Sequence, residues 1–73
     1  MEVKVGVQFA TRELVLETDA SQEDVERAVT DALEADDGLL ALTDERGRRV
    51  VVPARTLAYV EMGPNTQRKV GFA

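Results

Sequence analysis

Arg46, Arg48 and Arg49 are the residues of this chain best suited to chemistry, and that chemistry is phosphate binding. A guanidinium presents a rigid fork of donors that matches a phosphate edge. Arg55 and the Arg68-Lys69 pair extend the set. A nucleic-acid contact built on them would weaken steeply in salt as counterions reassociate. Two features weigh against it. The formal net charge is −5, and the aromatics are only Phe9, Tyr59 and Phe72, with Phe9 expected in the core. A base-stacking platform is therefore missing. The residues favour a different role, in which the arginines neutralise the acidic helix and loops within one chain or across a dimer.

Other chemistry finds less support. Asp36-Asp37 and Asp44-Glu45 have the donor type for Mg²⁺ or Ca²⁺, but the EF-hand spacing is absent and charged loops are ordinarily solvated. No metal is expected. Ser21 is the only serine, and the lysines, Lys4 and Lys69, flank strands. There is no histidine to activate a nucleophile, and no cysteine for a thiolate or disulfide. Neither glycine-rich phosphate loop occurs; Gly38 and Gly47 are isolated turn residues. No cofactor is expected, and an enzyme ranks last.

The charge is sorted along the chain. Residues 1–45 hold 3 basic and 13 acidic side chains, while residues 46–73 hold 6 basic and 1 acidic. Such asymmetry points to an interaction surface within the chain, between copies or with a partner. At 73 residues and 44% hydrophobic, one folded domain is expected. A domain this small buries only about 60% of its unfolded surface. No stretch has the length to span a bilayer as a helix, and the start has no signal-peptide pattern, so a cytoplasmic location is expected.

The elements follow from periodicity. Glu2 to Phe9 alternates, with Val3, Val5, Val7 and Phe9 on one face, the signature of a half-buried strand. Glu13 to Thr18 reads as its hairpin partner, with Leu14 and Leu16 inward. Ser21 can cap a helix whose stripe is Val25, Ala28, Val29, Ala32 and Leu33. Glu23 and Arg27 have the spacing of an ion pair, and Gly38 suits a left-handed helix end. Glu34, Asp36 and Asp37 place acid where a helix dipole favours cations. Leu39 to Thr43 and Arg48 to Val52 form a second hairpin across the turn Asp44-Gly47. Pro53-Ala54-Arg55 breaks the ladder, Thr56 to Met62 is a fifth strand, and Arg68 to Phe72 suits a short sixth. The fold class is α+β, a single helix on a mostly antiparallel sheet of five to six strands, either open or coiled toward a barrel.

One helix covers one face of such a sheet, not both. In the fifth strand Ala58, Val60 and Met62 are assigned beneath the helix. Leu57 and Tyr59 then lie opposite, where Val15, Leu39, Ala41 and Val51 can join them. That second face needs closure by coiling, by the C-terminal segment or by another molecule.

The run Gly38-Leu39-Leu40-Ala41-Leu42-Thr43-Asp44-Glu45-Arg46-Gly47-Arg48-Arg49 and the run Pro53-Ala54-Arg55-Thr56-Leu57-Ala58-Tyr59-Val60-Glu61-Met62-Gly63 resemble a family of short actinobacterial proteins of unknown function. The opening Met1 to Val7, Arg12-Glu13-Leu14 and the close Arg68 to Phe72 are similar to its pattern too. The resemblance implies a stand-alone protein of about this length. Some automatic labels attach ATP binding to such proteins; no residues here support a nucleotide site, and no active site is carried over.

The leading functional expectation is a non-enzymatic interaction module. It self-associates or docks on a cytoplasmic protein through Val51, Leu57 and Tyr59, with Arg46, Arg48, Arg49 and Arg55 around them. The alternatives are a nucleic-acid-associated regulator using the Arg46, Arg48, Arg49 hairpin and a small-molecule or nucleotide binder. No membrane partner is expected.

Overall fold

The computed structural model describes residues 1–64. The short strand expected at Arg68 to Phe72 lies outside them. The observed order is β1 (Glu2–Val7), β2 (Leu14–Glu17), α1 (Gln22–Glu34), β3 (Leu39–Thr43), β4 (Arg49–Pro53), a 3₁₀ turn (Ala54–Thr56) and β5 (Leu57–Met62). The fold is α+β, as the periodicity indicates. The five strands do not form one sheet, however. They divide into an antiparallel three-stranded sheet, β2-β1-β5, and a separate hairpin, β3-β4, and they do not close into a barrel.

The 3₁₀ turn accounts for the division. Pro53 has no N–H to extend the β4 ladder, and the Thr56 hydroxyl donates to the Pro53 carbonyl at 2.8 Å, tightening the turn. The Ala54 N–H donates to the Gly38 carbonyl, and the Gln8 N–H to the Thr56 carbonyl. The chain thus leaves β4 and delivers β5 to β1. Both inner faces then share a single core with the helix. Val3, Val5 and Leu16 come from the sheet, Leu40, Leu42 and Val52 from the hairpin, and Val25 and Ala32 from α1.

The helix is held at both ends. The Ser21 hydroxyl accepts from the Asp24 N–H at 3.1 Å, the expected cap. The Gln22 side-chain amide donates to the Gly63 carbonyl at 2.6 Å, tying the first turn to the end of β5. At the other end α1 packs on β3 and the 3₁₀ turn. Two details differ from expectation. Arg27 pairs with Asp24 at 3.9 Å, not with Glu23. Leu33 is largely exposed, because it sits about 80° round the helix from Val25 whereas Ala32 sits about 20° away.

Gly38 is not the left-handed residue; Asp37 is, at φ 54°. The glycine is needed for proximity instead. A Cβ there would overlap the Ala32 carbonyl oxygen and lie 2.8 Å from its carbon. Gly47 does take the left-handed conformation, at φ 87°. Its N–H donates to the Asp44 carbonyl, while the Asp44 N–H donates to the Arg48 carbonyl. This is a type I turn closed by a glycine bulge, which suits the twist of a hairpin.

Candidate interaction surface

The outer face of the three-stranded sheet is mostly polar. Glu2 faces Glu17 across β1 and β2, and Lys4 lies between Val15 and Glu61. Gly6 faces Tyr59, whose ring covers it so closely that a Cβ there would lie 2.7 Å from the ring Cδ2. The Tyr59 hydroxyl donates to the Glu13 carboxylate. That bond to a negative acceptor holds the phenol pKa above its ordinary value. This face is therefore largely solvated and self-satisfied.

Leu57 does not join Tyr59. The β1–β5 register shifts between Gly6 and Val7, pairing Gly6 with Tyr59 and Val7 with Leu57. Ala58 is the extra residue of this bulge, so Leu57 turns inward and packs half-buried against the core. Ala58 is exposed instead of lying beneath the helix. Phe9 is not core either. It is fully exposed in the β1–β2 connection, at φ 65°, a conformation that a bulky side chain rarely takes.

The hairpin presents a different surface. The register Leu39↔Pro53, Ala41↔Val51, Thr43↔Arg49 puts these six residues on its outward face. Leu39 is 59% exposed and Val51 49%. Leu39, Ala41, Val51 and Pro53 form a continuous apolar strip, ending in Thr43 and Arg49. Val51 and Tyr59 thus lie on the outer faces of different sheets. Of the expected interaction residues, Val51 lies on this strip and Arg49 at its end.

The arginines have separate roles. Arg48 is structural: its Nε donates to Asp44 Oδ2 at 2.7 Å. Asp44 Oδ1 also accepts the backbone N–H groups of Arg46 and Arg48, at 3.0 and 2.8 Å. The Glu45 N–H donates to the Glu17 carbonyl and the Thr18 hydroxyl to the Thr43 carbonyl, pinning the hairpin to the end of β2. Arg55 lies beside Asp37 and Ala35 in one shallow concavity at the end of α1. The last turn of α1 itself holds no basic residue. Among the described residues no ion pair engages Arg46, Arg49 or Arg55. Among the same residues no three acidic side chains converge as a metal site.

Asp44 makes a pH prediction. Its carboxyl is held below the ordinary aspartate value, first by the Arg48 guanidinium and then by the two backbone N–H groups, with burial pulling the other way. A pKa lower in the folded than in the unfolded state stabilises above the ordinary value, about 3.9. That stability is lost as pH falls through the lowered one. Asp44→Asn should therefore melt lower at neutral pH and show a shallower loss of stability in acid. Thermal melts from pH 7 to pH 2 check this, and parallel curves for the two proteins refute it.

Helix N-terminus, β3 and the Asp44 turn border a groove of about 380 Å³ between Asp24, Ala28, Leu42 and Thr18. Thr18 is buried, but its hydroxyl is already used, donating to Thr43 and accepting from Ala20. No helix here is long and apolar enough to cross a membrane.

Fold and surface together define a small α+β domain with a closed core and an apolar hairpin face. The chain belongs, over residues 1–73, to the family described as a protein of unknown function, DUF3107. A search of curated proteins finds no match.

Proposed function

We propose that the protein is a non-enzymatic interaction module that self-associates through the outer face of the β3–β4 hairpin. The observation that carries this reading is the strip Leu39, Ala41, Val51 and Pro53, aligned by strand register, with the first three open to solvent and Pro53 half-buried. Outside the strip the exposed large hydrophobics among the described residues are Phe9, Leu14, Val15, Leu33 and Tyr59. A two-stranded hairpin with an apolar outer face gains stability when that face is covered. The strip is smaller than the about 800 Å² per partner of a standard interface, so the association is of the weak, concentration-dependent class. In the nucleic-acid reading, one of the three hairpin arginines, Arg48, spends its Nε–H on Asp44.

Light scattering after size exclusion, over a concentration series, tests the proposal. The apparent mass should climb from one chain toward two. Val51→Asp should hold the protein at one chain mass with its helical circular dichroism unchanged, since the new charge is solvated in the monomer and buried in the dimer. A monomer at every concentration, or a dimer indifferent to Val51→Asp, overturns it.

A further inference from the structure

We infer that residues 68–72 fold back as an edge strand on β5, setting Val70 beside Val60 and Lys69 opposite Glu61. This surface is separate from the hairpin face and does not depend on it. β5 is an outer strand of its sheet, with β1 on one side only. The Gly63 N–H donates to the Glu2 carbonyl. Bonded residues alternate along an antiparallel ladder, so Glu61 bonds to Lys4 while Val60 and Met62 turn their N–H and C=O outward. Among the described residues these outward groups have no hydrogen-bond partner. The inner face of β5 is incompletely covered as well. Leu57, Val60 and Met62 are half-buried, whereas Val3 and Val5 of the adjacent β1 are 0% exposed. An open ladder beside a partly covered apolar flank is the setting for one more strand.

Chain continuity supplies the occupant. β5 ends at Met62, Gly63 is held between Glu2 and the Gln22 side chain, and residues 65–73 follow directly. Hairpins close over loops of up to about five residues. The stretch 63–67 fits that length, and Gly63, Pro64 and Asn65 give it turn composition. Strand alternation sets the register. Val70 and Phe72 share one face, which belongs inward beside Val60. Lys69 then falls on the outer face opposite Glu61, which Lys4 already flanks on its other side. Opposite charges paired across strands favour this arrangement. A slip of one residue would turn Lys69 inward and both apolar side chains out. So paired, β5 no longer offers a template to a strand from another chain.

Amide hydrogen exchange, read residue by residue by NMR on the full chain, tests the pairing. The Val60 and Met62 amides should exchange at least about tenfold more slowly than in the Val70→Pro variant. In the stated register the Val70 N–H donates to the Val60 carbonyl, and proline has no N–H to give. Lys69→Pro should leave the protection in place, since the Lys69 N–H faces away from β5 and edge strands accept proline there. The Val3 amide, which bonds toward β2, checks that each variant is folded. Protection should be equal in dilute and concentrated samples. Fast exchange of Val60 and Met62 in the parent protein overturns the pairing. So does protection that survives Val70→Pro, or that Lys69→Pro removes as well. Protection seen only at high concentration assigns the edge to a second copy and overturns it too.

Discussion

Leu40→Ala should destabilise the domain by about 2–5 kcal/mol, the range for deleting a buried leucine side chain. Leu40 is 1% exposed and sits where the hairpin, the sheet and α1 share their core. Its partner across the hairpin, Val52, is also buried, so neither strand has a spare side chain to move into the gap. A chain of 73 residues has about 4–11 kcal/mol of total stability. The change therefore removes a large fraction of it, and the melting temperature should fall by at least about 10 °C. Val51→Ala, one residue along β4 on the outward face, should change monomer stability by less than about 0.5 kcal/mol. Urea titrations of both variants read the difference. A mild Leu40→Ala would mean that the hairpin is not part of the cooperative core.

Gly38→Ala should be nearly as damaging, for a reason unrelated to backbone freedom. The added methyl meets the Ala32 carbonyl, which is backbone, so no side-chain rotation relieves the overlap. Ala32 is itself buried, and the Gly38 carbonyl accepts the Ala54 N–H, so the clash lies where helix, β3 and 3₁₀ turn join. Relief requires lifting the end of α1 away from β3. A loss of about 1–3 kcal/mol is the ordinary scale for overpacking, and a backbone obstacle belongs at its upper end. Gly63→Ala is the control, since a Cβ there makes ordinary contact at 3.4 Å. Equal melting temperatures for the two variants would refute the argument.

The local elements were legible because their determinants are local. Alternation defined β1, a serine hydroxyl with free amides beyond it defined the start of α1, and Asp44 with Gly47 defined the hairpin turn. The misplacements arise where packing overrides the local pattern. Leu57 and Tyr59 fall on the same face if β5 runs without interruption, and a bulge set by pairing with β1 separates them. Phe9 continues the alternation of β1, but the strand ends at Val7, and the residue turns out to solvent. Gly38 looks like a helix terminator, yet its role is set by how closely α1 approaches β3. Leu57 depends on a neighbour remote in the chain, while Gly38 depends on how the chain folds back on the end of its own helix.

The candidate surface divides in the same way. Its apolar residues and its segregated charges are visible in one dimension, because hydropathy and charge are properties of single residues. Their placement is not. A single covered sheet would have left Val51, Leu57 and Tyr59 on one exposed face. The 3₁₀ turn after Pro53 instead splits the strands, brings both inner faces to the helix and leaves the hairpin strip outside. Residue types settled which segments extend, which one coils and where charge accumulates. Strand pairing, a long-range choice governed by shared burial, decided which apolar side chains were left exposed.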